Sequence, residues 1–346
     1  MRRRGGTALL AVALFGCAAP APPAAAPTPS ATSAAPTTHP TPRRPPAVSR
    51  QAVGRAVTIV IGGDVDLDRT TRAAIARDGV DAPWVGIAPL LRSADIAVVN
   101  LECAVSRQGR PEPKSYTFRG DPAAVAGAKH AGVDVVSLAN NHTLDFGRAA
   151  LLDTIAAVRA QGIRPVGGGR NLAEAQEAAV LTVHGRRIAF VGMTGIVPAP
   201  HWRATATSPG LADDNSARIT AQVRRAKSRA DIVVAFFHWG VEYTYQASSR
   251  QRRAARAAIS AGASIVVGAH PHVLQPVEEV DGALVAWSLG NLVFKSRLPS
   301  RRTAMLSVTI APDGTVGWQL HPYVIGDDGI PRPDRSRAVR TGRVAA

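Results

Sequence analysis

Cysteine is nearly absent. Cys17 and Cys103 are the whole complement of a 346-residue chain, so no disulfide framework can staple the fold if Cys17 is acylated. Stability must come from a buried core, and 46% hydrophobic residues suffice for one large domain or two small ones. Aromatics are scarce at 5%, and lysine supplies only four of the 41 basic residues. No basic stripe interleaved with aromatics is present, nor any known reader motif, which excludes nucleic acid as the expected partner despite a formal charge of +16. The arginine excess reads first as a composition bias. At an envelope surface it would still favour anionic polymers and lipid headgroups. Gly167-Gly168-Gly169 lacks the Lys and Ser/Thr of a phosphate-cradling loop and reads as a turn. Ser137 and Ser288 have no nucleophile-elbow context. Cys103, beside Glu102, reads as a small buried residue. No internal repeat is visible.

What is present begins with a targeting pattern. Arg2, Arg3 and Arg4 precede an apolar run from Thr7 to Phe15, too short to span a bilayer. The run ends in Leu14-Phe15-Gly16-Cys17, similar to a bacterial lipobox, with Cys17 as the residue to be lipidated. An ordinary cleaved signal peptide is the alternative. Residues 1–17 are therefore expected to be a lipoprotein signal and 18–53 a tether. Between residues 18 and 50 lie 10 of the 26 prolines and no acidic residue, a composition that cannot bury a core. A folded domain is expected over 54–330 and a flexible basic tail over 331–346.

From Val57 the chain alternates strand-like and helix-like segments, as in an α/β domain. Short apolar, β-branched runs occur at Val57 to Ile61, Ile96 to Val99, Val133 to Val136, Ile232 to Phe237 and Ile265 to Val267. Continuous runs of this length suit strands buried on both faces. Helical stretches are expected at Arg148 to Gln161, Asp213 to Ser228 and Ser248 to Ala261. His184-Gly185, Asp281-Gly282 and Asp313-Gly314 mark hairpins. The expected fold is mixed: parallel pairs, antiparallel hairpins and covering helices.

Each apolar run leads at once into residues that bind metals or move protons. The first leads to Asp64, the second to Asn100 and Glu102, the third to Asn140, Asn141 and His142, the fourth to His238, and the fifth to His270-Pro271-His272. Sites in α/β sheets form outside the carboxyl ends of strands, so five such ends could surround one crevice. Singly, Asp64 reads as a turn residue, Glu102 as a surface charge, His142 as a helix cap and His238 as a core histidine. Jointly they supply the hard oxygen and imidazole ligands that a two-metal site needs. Two ions about 3.5–4 Å apart can hold a substrate oxyanion and the attacking water in line, and a further histidine can protonate the leaving group.

The blocks Gly63-Asp64 with Arg69, Asn100-Leu101-Glu102, Ala139-Asn140-Asn141-His142 with Asp145, His238-Trp239-Gly240 with Glu242, His270-Pro271-His272 with Gln275, and Ser288-Leu289-Gly290-Asn291 occur in order. Together they resemble the CapA family of poly-γ-glutamate capsule synthesis proteins, related to the calcineurin-like metallophosphatases. The resemblance implies a four-layer sandwich, two mixed β-sheets flanked by helices. It implies Asp64, Glu102, Asn141, His238, His270 and His272 as ligands of two divalent ions (Mn, Fe or Zn), with Glu102 bridging and His142 as general acid. Asp66, Arg69, Asn140 and Glu242 are further candidates. Asp66 stands where the phosphatases carry a histidine.

The implied function is envelope-polymer biosynthesis at the outer face of the membrane. The partner would be an anionic, poly-γ-glutamate-like polymer or its synthesis complex. One form of that reading is a metal-dependent hydrolase of a phosphoester or amide. The other is a non-catalytic lipid-anchored accessory protein that binds, exports or tethers the polymer.

Overall fold

The computed structural model describes residues 54–344. The expected signal peptide with its anchor Cys17, and the tether over 18–53, lie outside the described residues. No helix among the described residues is long and apolar enough to cross a membrane.

Two mixed sheets form the body. In the nine-stranded sheet, Val57–Val65 runs parallel to Ile96–Leu101, which runs parallel to Val135–Ser137, and that to Arg164–Val166. On its other side Val57–Val65 pairs antiparallel with Arg302–Ile310, next to which lies Val316–Ile325. The six-stranded sheet has a parallel centre of Arg186–Thr194, Ile232–His238, Ile265–Ala269 and Ala283–Ala286. Hairpins close both of its edges. His184 and Gly185, like Asp281 and Gly282, both take positive φ, as a two-residue primed turn requires. At Asp313-Gly314 only the glycine does, and the turn is longer.

Three apolar cores explain why the strand sequences are apolar throughout rather than alternating. Ile59, Ile61, Val98, Phe190, Val234, Phe236 and Val267 meet between the two sheets. Their neighbours Val60, Ala97 and Val99 face outward against Leu151 and Ile155 of the Gly147–Ala160 helix. Val233, Ala235 and Phe237 face Ile219 and Val223 of Ser216–Lys227 and Ala255 and Ala258 of Ser249–Ser260. Successive residues in a strand point to opposite faces, so a strand covered on both sides needs apolar residues at every position. The result is helix, sheet, sheet, helix, the four-layer sandwich expected from the sequence. Asp95 ties the layers at one end: it accepts from Thr58 of the first sheet (2.8 Å) and contacts His184 Nε2 of the second sheet's hairpin (2.9 Å).

The basic tail departs from expectation. Pro331–Pro333 and Arg340–Val344 are strands, both paired antiparallel with Val316–Ile325. Composition pointed to fraying because the segment carries few apolar side chains. The open edge of Val316–Ile325 nonetheless offers unpaired backbone groups, and pairing through the main chain needs little side-chain burial. Ile330, Pro331 and Val344 are the buried anchors.

Candidate metal centre

The strand ends converge. One extra residue in Val57–Val65 marks a bulge: Ile61 pairs with Val98, but Asp64 pairs with Asn100. Bulges re-aim side chains beside functional sites. Gly63 makes this one feasible, since a Cβ there would lie 1.9 Å from the Gly290 carbonyl oxygen. The neighbouring Asp64 amide donates to that oxygen at 3.1 Å. A Gly63→Ala substitution must push the Asp64 strand off the 289–291 segment. Overpacking against backbone costs about 1–3 kcal/mol, so we expect the melting temperature to fall by roughly 3–10 °C. Thermal melts should show the loss, and metal titration should show weakened binding from the displaced Asp64.

Asp64, Glu102 and His238 are fully buried, and His270 and His272 nearly so. Glu102 is common to two ligand groups: Asp64–Glu102–His238 and Glu102–His270–His272, with donor atoms within 4.8 Å of one another in each. His238 Nε2 lies 3.2 Å from Glu102 Oε1, 2.7 Å from Asn141 Oδ1 and 3.1 Å from His270 Nδ1. His272 Nδ1 lies 3.7 Å from Asp64 Oδ2. The same Nδ1 lies 2.6 Å from Asn291 Oδ1, which orients the ring. His270 and His272 both take left-handed backbone conformations, φ 93° and 57°. Two such non-glycine residues flanking one proline cost of order 1–3 kcal/mol each and concentrate where function holds them.

Burial governs the electrostatics. It raises the Asp64 carboxyl above its usual range and, with Asp64 alongside, raises Glu102 well above. It lowers His238 well below the usual imidazole value and, with His272 nearby, His270 to about 3. Neither oxygen of Glu102 has a hydrogen-bond partner, because the His238 approach lacks hydrogen-bonding geometry. Two unpartnered carboxylate oxygens among imidazoles fit a bridging metal ligand. The donor set of carboxylates, imidazoles and an amide oxygen suits Mn, Fe or Zn.

His142 forms a second element beside this cluster. Its Nδ1 lies 2.7 Å from Asp145 Oδ2, and its ring stacks on Phe118 at 4.0 Å. Lys114 Nζ donates to Asp145 Oδ1 (2.7 Å) and to the Asn141 carbonyl (2.5 Å). Burial, opposed by Asp145, lowers His142 to about 4. Nδ1 is thereby committed to Asp145, and Nε2 is the atom that can exchange a proton.

The other candidates take different places. Asn140 lies behind the site: its Nδ2 donates to the Leu101 carbonyl (2.8 Å), and its Oδ1 accepts from the His142 and Thr143 amides (3.0 Å each). Asp66 is buried, and Oδ2 has no partner; burial pushes its carboxyl up to about 8. Arg69 is exposed over Phe118 and Tyr116 at 4.7 and 5.6 Å. Glu242 is exposed. Sequence reasoning placed Asn100 only among the strand-end candidates and assigned no role to Lys114, Asp145 or Asn291. Asn100 Nδ2 donates to Asp64 Oδ1 (2.7 Å) and lies 3.1 Å from His238 Nδ1, so it orients both. Asn100, Asp145 and Asn291 stand inside the motif blocks. Lys114 stands in none, and only its scarcity as a lysine marks it.

Residues 58–296 match the family described as "Bacterial capsule synthesis protein PGA_cap". The "PGA biosynthesis protein CapA" of Bacillus subtilis is 30% identical over 282 residues, covering 80% of this chain and 74% of the relative. The "Capsule biosynthesis protein CapA" of Bacillus anthracis is 31% identical over 298 residues, covering 82% and 72%. Among solved structures, the NAD nucleotidase of Haemophilus influenzae aligns with a TM-score of 0.45 at 14% identity, over 81% of this chain and 54% of that one.

Proposed function

The chain belongs to the bacterial capsule synthesis protein PGA_cap family, and from that premise we propose that it builds or processes an anionic, poly-γ-glutamate-like envelope polymer as a metal-dependent hydrolase. Anchoring through Cys17 at the outer face of the membrane belongs to the same proposal. The observation that carries the hydrolase reading is Glu102, buried, unpartnered and common to both ligand groups.

Asp64, Glu102, Asn141, His238, His270 and His272 are the residues that would hold the ions. Bound divalent ions would supply Lewis acidity and a lowered pKa for water. The chain's own residues supply the rest. Asn100 and Asn291 fix the orientation of Asp64, His238 and His272. Asp145 and Lys114 hold His142 so that its Nε2 takes or returns the proton at the cleaved phosphoester or amide. An anionic substrate group beside the ring would raise the depressed His142 pKa toward the range where it can donate.

The test is complementation of a strain lacking the gene, with capsule polymer measured per cell. Wild type should restore the polymer. His142→Ala and the His270→Ala, His272→Ala double variant should both fail at equal protein level. Full polymer with His142→Ala would leave the non-catalytic accessory reading, which Asp66 in place of a ligand histidine favours.

A further inference from the structure

Where the core between the sheets meets solvent, a groove of about 310 Å³ opens. Tyr245, Gln275, Leu320, Pro322, Arg337 and Arg340 are among the residues that line it. The two arginines belong to the tail that the sequence led one to expect unfolded, held in place by Arg340–Val344 pairing with Val316–Ile325.

Ser336 and, at longer range, Arg337 hold the Asp334 carboxyl below its usual range. Nearby Arg301 pairs with Asp327 and Arg332 with Asp328, whereas exposed Arg337 and Arg340 form no ion pair among the described residues. Asp334 is the sole acid from residue 331 onward, and its carboxylate is engaged by Ser336. Tyr245 in the same groove is 54% exposed. Arginines and an exposed tyrosine lining one groove with apolar residues match a strand that carries carboxylates on an aliphatic or amide backbone.

A hydrogen-bonded segment runs between the groove and the candidate metal centre. Gln275, three residues beyond His272, donates through Nε2 to the carbonyls of Thr244 (2.7 Å) and Gln246 (3.2 Å). It thereby holds the segment on which Tyr243 sits 6.2 Å from the His272 ring and Tyr245 lines the groove. We propose that the groove is a subsite for a carboxylate-bearing polymer strand, with Arg337 and Arg340 taking its carboxylates and Tyr245 packing on the segments between. The polymer class rests on the function proposed above. The arginines lie beyond residue 296, where the family match ends.

The test uses the full chain carrying Cys17→Ser and fluorescently labelled poly-γ-glutamate, with anisotropy read across a salt series. Wild type should bind, more weakly as salt rises. The Arg337→Ala, Arg340→Ala double variant should bind about tenfold more weakly near 0.1 M salt, and Tyr245→Ala severalfold. Both should melt as wild type does, since these side chains are exposed. Unchanged affinity in the arginine variant overturns the groove and leaves the polymer reading intact. No binding by wild type overturns both. Phosphatidylglycerol vesicles that bind through these arginines when the polymer does not would make a membrane surface the occupant and overturn the proposal.

Discussion

Supplying Mn, Fe or Zn is expected to raise the melting temperature by roughly 5–10 °C once the free ion exceeds its dissociation constant a hundredfold. The cause is the cost of burying charge without a counter-charge. Burial raises the Asp64 and Glu102 carboxyls. A raised folded-state carboxyl pKa costs stability as pH climbs through and beyond the ordinary carboxyl range, so at neutral pH the ion-free site weakens the fold. Cations restore the balance, and because the ligands come from distant strand ends, the unfolded chain has no such site to compete. A hundredfold excess corresponds to about 2.7 kcal/mol. His270→Ala with His272→Ala should shrink the shift without abolishing it, since one ligand group keeps only Glu102 while Asp64, Glu102 and His238 remain. Melts in chelator and in each metal, with elemental analysis, measure it. Identical melts for wild type with and without metal would falsify the centre.

His142→Ala should separate chemistry from metal binding. If the centre hydrolyses its substrate, kcat should fall roughly 10²–10⁴-fold, the usual contribution of a positioned acid or base. The metal-dependent rise in melting temperature should stay, because His142 belongs to neither ligand group. Asp145→Asn should fall in the same direction by less. Asp145 fixes which imidazole nitrogen is free, and an amide can still accept from Nδ1. It should also cost stability, since Asp145 is buried and accepts from both Lys114 and the Phe118 amide. Chromogenic phosphate esters and γ-linked glutamyl peptides are the substrates to assay. Equal loss of kcat and of metal binding in His142→Ala would instead make His142 a ligand.

Much of the fold and of the candidate metal centre is legible in the amino-acid sequence. The strand starting at Val57 is visible there because both of its faces are covered, which leaves an uninterrupted apolar run. His184-Gly185 and Asp281-Gly282 announce their hairpins because few residues tolerate positive φ. Asp64, Glu102, His238, His270 and His272 are legible as a set because each lies at or just beyond the carboxyl end of a strand in a parallel pair, and parallel strands share one carboxyl edge.

Three features are decided only by tertiary structure. Lys114 belongs to no motif, and only the fold carries its loop to Asp145. Residues 331–344 look unfoldable alone, because they bury little; they fold because a neighbouring strand offers its open edge. The groove faced by Arg337 and Arg340 exists only once that pairing is made. Local sequence determines how deeply each strand is buried and which residues cap its end, because burial and turn geometry act over a few residues. Which distant groups meet is settled by packing, which has no local signature.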